Sequence, residues 1–234
     1  KYFNYLSKKA KNYELKISTF GENNKSDIFV KKIIKKNGLT KIFIDINSQI
    51  IDFEIGNINI NNVLASIAVL KELKIDFLKI KHKFKNFESP EGRGKKYDIT
   101  RYKKKFKLID ESYNANPLSV KNAINKFSLI NKDKFKKYLI LADMLELGSK
   151  SKRYHEDLSK VINNSDIDKV FIKGKKTIFT YKHLNKDKRG NILQNNEDID
   201  LSLSKMISNN DYLMIKGSNA TGLNNFSKKI IKGL

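Results

Sequence analysis

The sequence predicts an α/β protein in two parts, a short mixed region followed by a doubly wound parallel sheet. From residue 107 onward, short apolar runs alternate with stretches whose apolar residues recur every three to four positions. Before residue 90 the order differs, with strand-like runs first and helical spacing after them. Between the two lies Ser89-Pro90-Glu91-Gly92-Arg93-Gly94, a Pro/Gly cluster that makes the best linker in the chain.

The elements follow in order. Residues 15–21 read as a strand ending at a turn, and 41–46 with 50–55 as an antiparallel hairpin around Asn47-Ser48. Helical spacing then runs through Ile60, Val63, Leu64, Ile67, Leu70 and Leu73, predicting a helix over 59–73, and a second helix is expected over 76–87. In the later part, strands are expected at 106–109, 138–142, 169–172, weakly at 191–193, and at 212–215. Helices are expected near 119–129, 153–162, 201–207 and 225–231. Short apolar strands of this kind are buried on both faces, which is why they lack a polar alternation.

Composition narrows the function classes. Across 234 residues the formal charge is +23, and neither Cys nor Trp occurs. A charge of that size suits a nucleic-acid binder, yet the basic side chains are 44 Lys and only four Arg. With 27 Asn and 30 Ile, the excess falls on residues with A/T-rich codons. Recognition of phosphates and base edges favours the planar fork of Arg, so the charge is read as compositional and no nucleic-acid partner is expected, a basic nucleic-acid-binding module being the lesser alternative. Lack of Cys removes disulfides, thiolate metal sites and Cys nucleophiles, and fits a reducing compartment. No run approaches the length of a membrane span, and the first thirty residues lack a signal-peptide core. The chain opens on Lys1, and it is expected to be a piece of a longer protein.

In a doubly wound sheet, ligands sit beyond the carboxyl ends of the strands. Three such ends are rich in polar groups. One carries Asp110-Glu111-Ser112-Tyr113-Asn114-Ala115-Asn116-Pro117, with carboxylates and amides suited to sugar hydroxyls, a cation or a polar ring edge. Another carries Ala142-Asp143-Met144-Leu145-Glu146-Leu147-Gly148, with Ser151 and His155 downstream. The last carries Lys216-Gly217-Ser218.

In their order and spacing these three motifs resemble the Mur ligase family, the ATP-dependent amide-forming enzymes of peptidoglycan synthesis. Gly56, Asn59, Asn62, Leu64 and Ala65 are similar to the family's Gly-x-His-Asn-x-x-Asn-x-Leu-Ala pattern, and Gly92-Arg93 to its Gly-Arg. The sequence departs from the pattern at Ile58, Glu111, Ala142 and Asn219. The family's phosphate-binding loop is missing: Gly174-Lys175-Lys176-Thr177 lacks the earlier Gly and the adjacent hydroxyl that such a loop needs, and reads as a strand-end turn.

The resemblance implies that residues 1–90 are the end of a central ATP-binding domain, 91–106 a linker and first strand region, and 107–234 a Rossmann-like carboxyl-terminal domain. It implies ATP and Mg2+ as cofactors, with the Mg2+ ligands mainly outside this chain and no metal ligand within it. It also implies a cytoplasmic monomer acting on UDP-N-acetylmuramoyl-tripeptide and D-alanyl-D-alanine, with folylpolyglutamate or cyanophycin-type ligation as the alternative within the superfamily.

The same resemblance assigns roles residue by residue. Arg93 would grip ATP phosphates or ribose and is the catalytic candidate, against the reading of a solvated linker charge. Asn59 and Asn62 would meet the adenine side. Asn59 is equally a helix cap, whereas an amide beside Ile60, Val63 and Leu64 needs a partner if buried. Asp110, Glu111, Tyr113, Asn114 and Asn116 would seat the nucleotide, the alternative being turn and helix-start chemistry. Asp143, Glu146 and His155 would face the peptide substrates, with His155 equally a capping or surface residue. Ser151 is a ligand or an N-cap, and Lys216 and Ser218 would meet a substrate carboxylate or face solvent.

Overall fold

The computed structural model describes residues 2–36, 39–56, 58–130 and 134–233, and the chain divides into two units, Lys1–Ser89 and Pro90–Leu234. In the first unit, Phe3–Asn12 (α1) and Phe20–Gly21 (β1) precede three longer strands, Ile28–Lys36 (β2), Leu39–Ile46 (β3) and Gln49–Ile55 (β4), then the helices Ile60–Glu72 (α2) and Phe77–Ile80 (α3). The sheet order is β1-β2-β3-β4, with β1 parallel to β2 and the other pairs antiparallel.

The hairpin between β3 and β4 turns through Asn47 and Ser48, both at positive φ, the geometry that matches strand twist in a two-residue turn. Ile42 and Ile44 of β3 and Ile51, Phe53 and Ile55 of β4 point inward, and Val63, Leu64, Ile67 and Ala68 of α2 belong to the same core. Phe53, Phe77 and Phe84 close it edge to face.

Several expectations change here. The strand expected at 15–21 shrinks to β1, because Thr19 and Asp27 tie the chain in reciprocal hydrogen bonds of 2.6–2.9 Å just ahead of it. The sequence reading missed β2, whose lysines interrupt the apolar pattern and which carries a bulge between Val30 and Lys32. It also missed α1, where Phe3, Leu6 and Ala10 recur at helical spacing although none of them is buried. The helix expected over 76–87 is α3 followed by a 3-10 stretch, Lys81–Asn86.

The second unit contains Lys95–Arg101 (β5), Lys104–Glu111 (β6), Pro117–Ser128 (α4), Lys137–Ala142 (β7), Ser151–Asn163 (α5), Lys169–Lys173 (β8), Thr177–Lys182 (α6), Arg189–Leu193 (β9), Asn196–Met206 (α7), Tyr212–Lys216 (β10) and Leu223–Lys232 (α8). Its sheet runs β5-β6-β10-β7-β8-β9. All neighbours are parallel except β5 and β6. The strand last in sequence therefore lies between the two that carry the other polar motifs.

Two cores sandwich this sheet. One packs Leu108, Ile140 and Ile215 with residues of α7 and α8, among them Ile199, Leu203, Phe226 and Ile230. The other packs Ile109, Leu139, Leu141 and Met214 with Val120, Ile124 and Phe127 of α4 and Leu158 and Ile162 of α5. Every residue of β7 is buried, as a central parallel strand requires.

The doubly wound parallel sheet thus acquires an antiparallel edge, β5, inside the stretch read as linker and first strand region. Only Ile99 of β5 is buried, which left no apolar run to read. The short helix α6 was also missed, and α7 starts at Asn196 rather than 201 because Asn195 and Asp198 form a reciprocal cap. Among the described residues no helix is long and apolar enough to cross a membrane.

Candidate functional site

Parallel register brings the three motif-bearing strand ends side by side: Lys216 of β10 pairs with Glu111 of β6 on one side and Leu141 of β7 on the other. Beyond them opens a cleft of about 590 Å³, whose lining includes Tyr113, Asn114, Leu145, Glu146, Ser218 and Asn219.

The first wall is organised by Asp110. Its carboxylate is buried and accepts from the Gly92 N–H at 3.0 Å, the Ser112 N–H at 3.1 Å and the Ser112 hydroxyl at 2.6 Å, while its carbonyl accepts from the Gly94 N–H at 2.7 Å. Asp110 therefore fixes both residues flanking Arg93. The Tyr113 N–H donates to the Gly92 carbonyl at 3.1 Å, and the exposed Arg93 guanidinium lies over the Tyr113 ring, 4.6 Å from its centre. Gly92 sits at φ +71°, and a Cβ there would come within 2.7 Å of the Tyr113 Cβ. Among the described residues no carboxylate pairs with Arg93.

Other residues of this motif are partly engaged. Asn116 caps α4, accepting from the Ser119 N–H at 2.9 Å, with Ser119 returning the bond. Asn114 uses its side-chain oxygen on the Ala115 N–H at 2.7 Å but stays exposed at the cleft. Glu111 is partly exposed and reaches the Lys216 ammonium at 3.4 Å.

The second wall is held from beneath. One oxygen of Asp143 accepts from the Lys176 N–H, the Thr177 N–H and the Thr177 hydroxyl at 2.8–3.1 Å, so this carboxylate caps α6. Gly174-Lys175-Lys176-Thr177 is the turn between β8 and α6 that it caps. His155 is 0% exposed: its Nε2 accepts from the Met144 N–H at 3.1 Å, and its Nδ1 faces the Ser151 carbonyl at 2.8 Å. Those partners select the tautomer with the proton on Nδ1. Ser151 is the first residue of α5 and not its cap, a place taken by Lys150. Glu146 is exposed at the cleft with φ +60°.

The third strand end ties the walls together. The Ser218 hydroxyl accepts from the Leu145 N–H at 3.1 Å and faces the Ala115 carbonyl at 3.4 Å. Lys216 is 2% exposed and points at Glu111 and at the Asn114 carbonyl. Burial lowers its ammonium below the usual 10.5, Glu111 opposes that shift, and Arg93 adds to it.

The structure brings Arg93, Asp110, Glu111, Tyr113, Asn114, Glu146, Lys216 and Ser218 to these strand ends, with Asp143 and His155 behind them. Asn59 and Asn62 belong to the first unit. Asn59 caps α2, accepting from the Asn61 N–H at 2.9 Å. Asn62 is exposed, because Val63, Leu64 and Ile67 take the inner stripe of α2, so the premise of a buried amide does not hold. Lys173 was missed: its ammonium bonds the Thr221 carbonyl at 2.9 Å and the Asn196 side chain at 3.2 Å, and burial lowers its pKa. Nothing marked it among 44 lysines. Among the described residues no group of three or more His, Asp or Glu is placed to hold a metal ion.

Residues 98–219 match the family model described as Mur ligase, glutamate ligase domain. A UDP-N-acetylmuramoyl-tripeptide–D-alanyl-D-alanine ligase from Bacillus subtilis is 32% identical over 129 residues, covering 53% of this chain and 28% of the relative. The enzyme of that name from Buchnera aphidicola (subsp. Baizongia pistaciae) is 28% identical over 240 residues, covering 98% of this chain and 49% of its own length. The chain thus spans about half the length, or less, of the curated relatives it matches. Among solved structures, MurF from Acinetobacter baumannii superposes with a TM-score of 0.76 at 19% identity, covering 99% of this chain and 50% of that one. MurF from Thermotoga maritima in complex with ADP gives 0.74 at 20% identity, covering 97% and 51%. A bifunctional folylpolyglutamate synthase/dihydrofolate synthase from Yersinia pestis gives 0.64 at 12%, covering 95% and 49%. At these identities the likeness establishes the fold.

Proposed function

The chain belongs to the Mur ligase family, and from that premise we propose that it forms part of an ATP-dependent ligase that joins D-alanyl-D-alanine to UDP-N-acetylmuramoyl-tripeptide in peptidoglycan precursor synthesis. The observation that carries this reading is the Arg93–Tyr113 pair, an exposed cation held by backbone bonds beside a polar cleft at the strand ends. A guanidinium presented this way, with no carboxylate partner among the described residues, fits an oxyanion ligand such as a nucleotide phosphate.

In this reading residues 1–90 close a central ATP-binding domain and 107–234 form the carboxyl-terminal domain. When bound, ATP supplies the phosphoryl group that activates the tripeptide's terminal carboxylate for attack by the incoming amine, with phosphate released. This chain's share is binding and alignment, the larger part of catalysis in phosphoryl chemistry. Arg93 binds nucleotide oxyanions, and Glu111 offers a carboxylate for ribose hydroxyls. Asp110 orients Arg93 through Gly92 and Gly94. Tyr113 and Asn114 help Arg93 seat the nucleotide, and Glu146 and Ser218 offer polar groups for the peptide substrates. Mg2+ is not assigned to residues of this chain.

No Gly-x-x-x-x-Gly-Lys-Ser/Thr occurs in the 234 residues, so the chain alone is expected not to turn over ATP. ADP release should be measured for the full gene product with UDP-N-acetylmuramoyl-tripeptide and either D-alanyl-D-alanine or glutamate. Release that requires the dipeptide is expected. Release supported by glutamate instead would overturn the dipeptide assignment, and turnover by the 234-residue chain alone would overturn the division of labour.

A further inference from the structure

Lys216 was expected to meet a substrate carboxylate, but its surroundings point elsewhere. It ends β10, between β6 and β7, and its side chain is 2% exposed. An ammonium has three N–H donors. Here three acceptors surround it: the Glu111 carbonyl at 3.3 Å, the Glu111 carboxylate at 3.4 Å and the Asn114 carbonyl. No donor remains for a ligand, and Lys216 does not line the cleft.

The loop that Lys216 grips is the one that presents Arg93. Tyr113 lies within it, donates its N–H to the Gly92 carbonyl at 3.1 Å, and carries the guanidinium on its ring. Asp110, immediately before the loop, bonds the N–H groups of Gly92 and Gly94. A continuous set of contacts therefore runs from Lys216 through residues 110–114 to Arg93. Two cations near one another are opposed unless a carboxylate offsets them, and Glu111 supplies that charge from the same loop. Removing the buried ammonium would take a shared partner from the Glu111 and Asn114 carbonyls and from the Glu111 carboxylate, and the loop would relax.

We propose that Lys216 is a positioning residue, which clamps the 111–114 loop so that Tyr113 and Asp110 hold Arg93 toward an anionic ligand, and which does not itself touch substrate. Identifying that ligand as ATP rests on the proposed function; the clamping is a property of this chain.

The two parts can be tested apart. With four arginines in the chain, the side-chain Nε–H signals can be resolved by NMR, Arg93 assigned by Arg93→Lys and its unstacked position defined by Tyr113→Leu. In the 234-residue chain carrying Lys216→Gln, the Arg93 signal is expected to move at least half-way to the unstacked position while the other three stay in place. Glu111→Gln, at a partly exposed site, should move it in the same direction by less and covers the case in which Lys216→Gln does not fold. An Arg93 signal that keeps its wild-type position in both variants overturns the proposal. In the full gene product, Lys216→Gln should raise KM for ATP by about ten-fold and leave KM for the acceptor within about two-fold. The reverse pattern would make Lys216 a substrate contact and overturn the proposal. If the gene product shows no ligase activity, the function falls and the NMR result still decides the clamp.

Discussion

The guanidinium of Arg93 lies 4.6 Å from the centre of the Tyr113 ring, and the Tyr113 N–H donates to the carbonyl of Gly92, the residue before Arg93, at 3.1 Å. An exposed arginine is thereby given one direction. Its flexible side chain is ordered before any ligand arrives, which reduces the entropy lost on binding.

Under the proposed function, Arg93→Ala should lower kcat/KM for ATP by about 100-fold, equivalent to about 2.7 kcal/mol. Arg93→Lys should recover little of it, since an ammonium lacks the planar fork and stacks less well. Tyr113→Leu should lower it by roughly five-fold, in keeping with about 1 kcal/mol for an exposed cation–ring pair. Steady-state kinetics on the full gene product check all three, and full activity in Arg93→Lys would remove the argument for a stacked fork.

Gly92→Ala should destabilise the chain by roughly 2–3 kcal/mol, because the residue sits at φ +71° and the new Cβ meets Tyr113 at 2.7 Å. Gly148→Ala has positive φ but nothing within 4 Å, and should cost only about 1 kcal/mol. Urea unfolding of the two variants makes the comparison, and equal losses would refute the close approach.

Asp143→Ala should destabilise by about 2 kcal/mol, since it takes the acceptor from the N–H groups of Lys176 and of buried Thr177 at the start of α6. Asp143→Asn keeps an acceptor and should recover more than half of that. A variant Asp143→Ala that unfolds like wild type, with only turnover reduced, would return this carboxylate to substrate binding.

His155→Ala is expected to lower stability by about 2–4 kcal/mol through an empty buried site and two lost backbone bonds. A general base would behave otherwise, with rate lost and stability kept, so unfolding curves measured beside rates decide between the roles.

Burial, then the hydrogen bond to Asp200, raises the Tyr102 hydroxyl from 10.0 to about 12. A raised folded-state pKa means the native state holds the proton more tightly. Its contribution is therefore fully present below pH 10 and is lost as pH rises through about 12. Tyr102→Phe should be less stable than wild type by about 1 kcal/mol at neutral pH, and the gap should close on titration upward through that window. Comparing the pair cancels the background from the lysines. A gap that stays constant to pH 12 would contradict the shift.

Much of the fold was legible because burial writes itself into local pattern. The run Tyr138 to Ala142 is apolar throughout since β7 is covered on both faces, and the α2 stripe follows from Val63, Leu64, Ile67 and Ala68 meeting one core. Elements with little buried surface escaped for the same reason. The strand β5 buries only Ile99, so its pairing left no apolar run, while α1 buries nothing and its stripe of Phe3, Leu6 and Ala10 is short and flanked by lysines.

The sequence by itself determined which polar residues gather at the strand ends, because a parallel α/β order sends every strand's carboxyl end to one face. It could not determine which of them remain free to act. Asp143, His155 and Lys216 look like site groups in a motif, yet the fold uses them internally: Asp143 on the start of α6, His155 on Met144, Lys216 on Glu111 and Asn114. Arg93, Tyr113 and Glu146 stay exposed. The physical reason is that a buried charge or ring nitrogen must find partners, and for Lys216 those partners come from the end of β6 and the loop after it, more than a hundred residues earlier. Only the register that sets β10 between β6 and β7 brings them together.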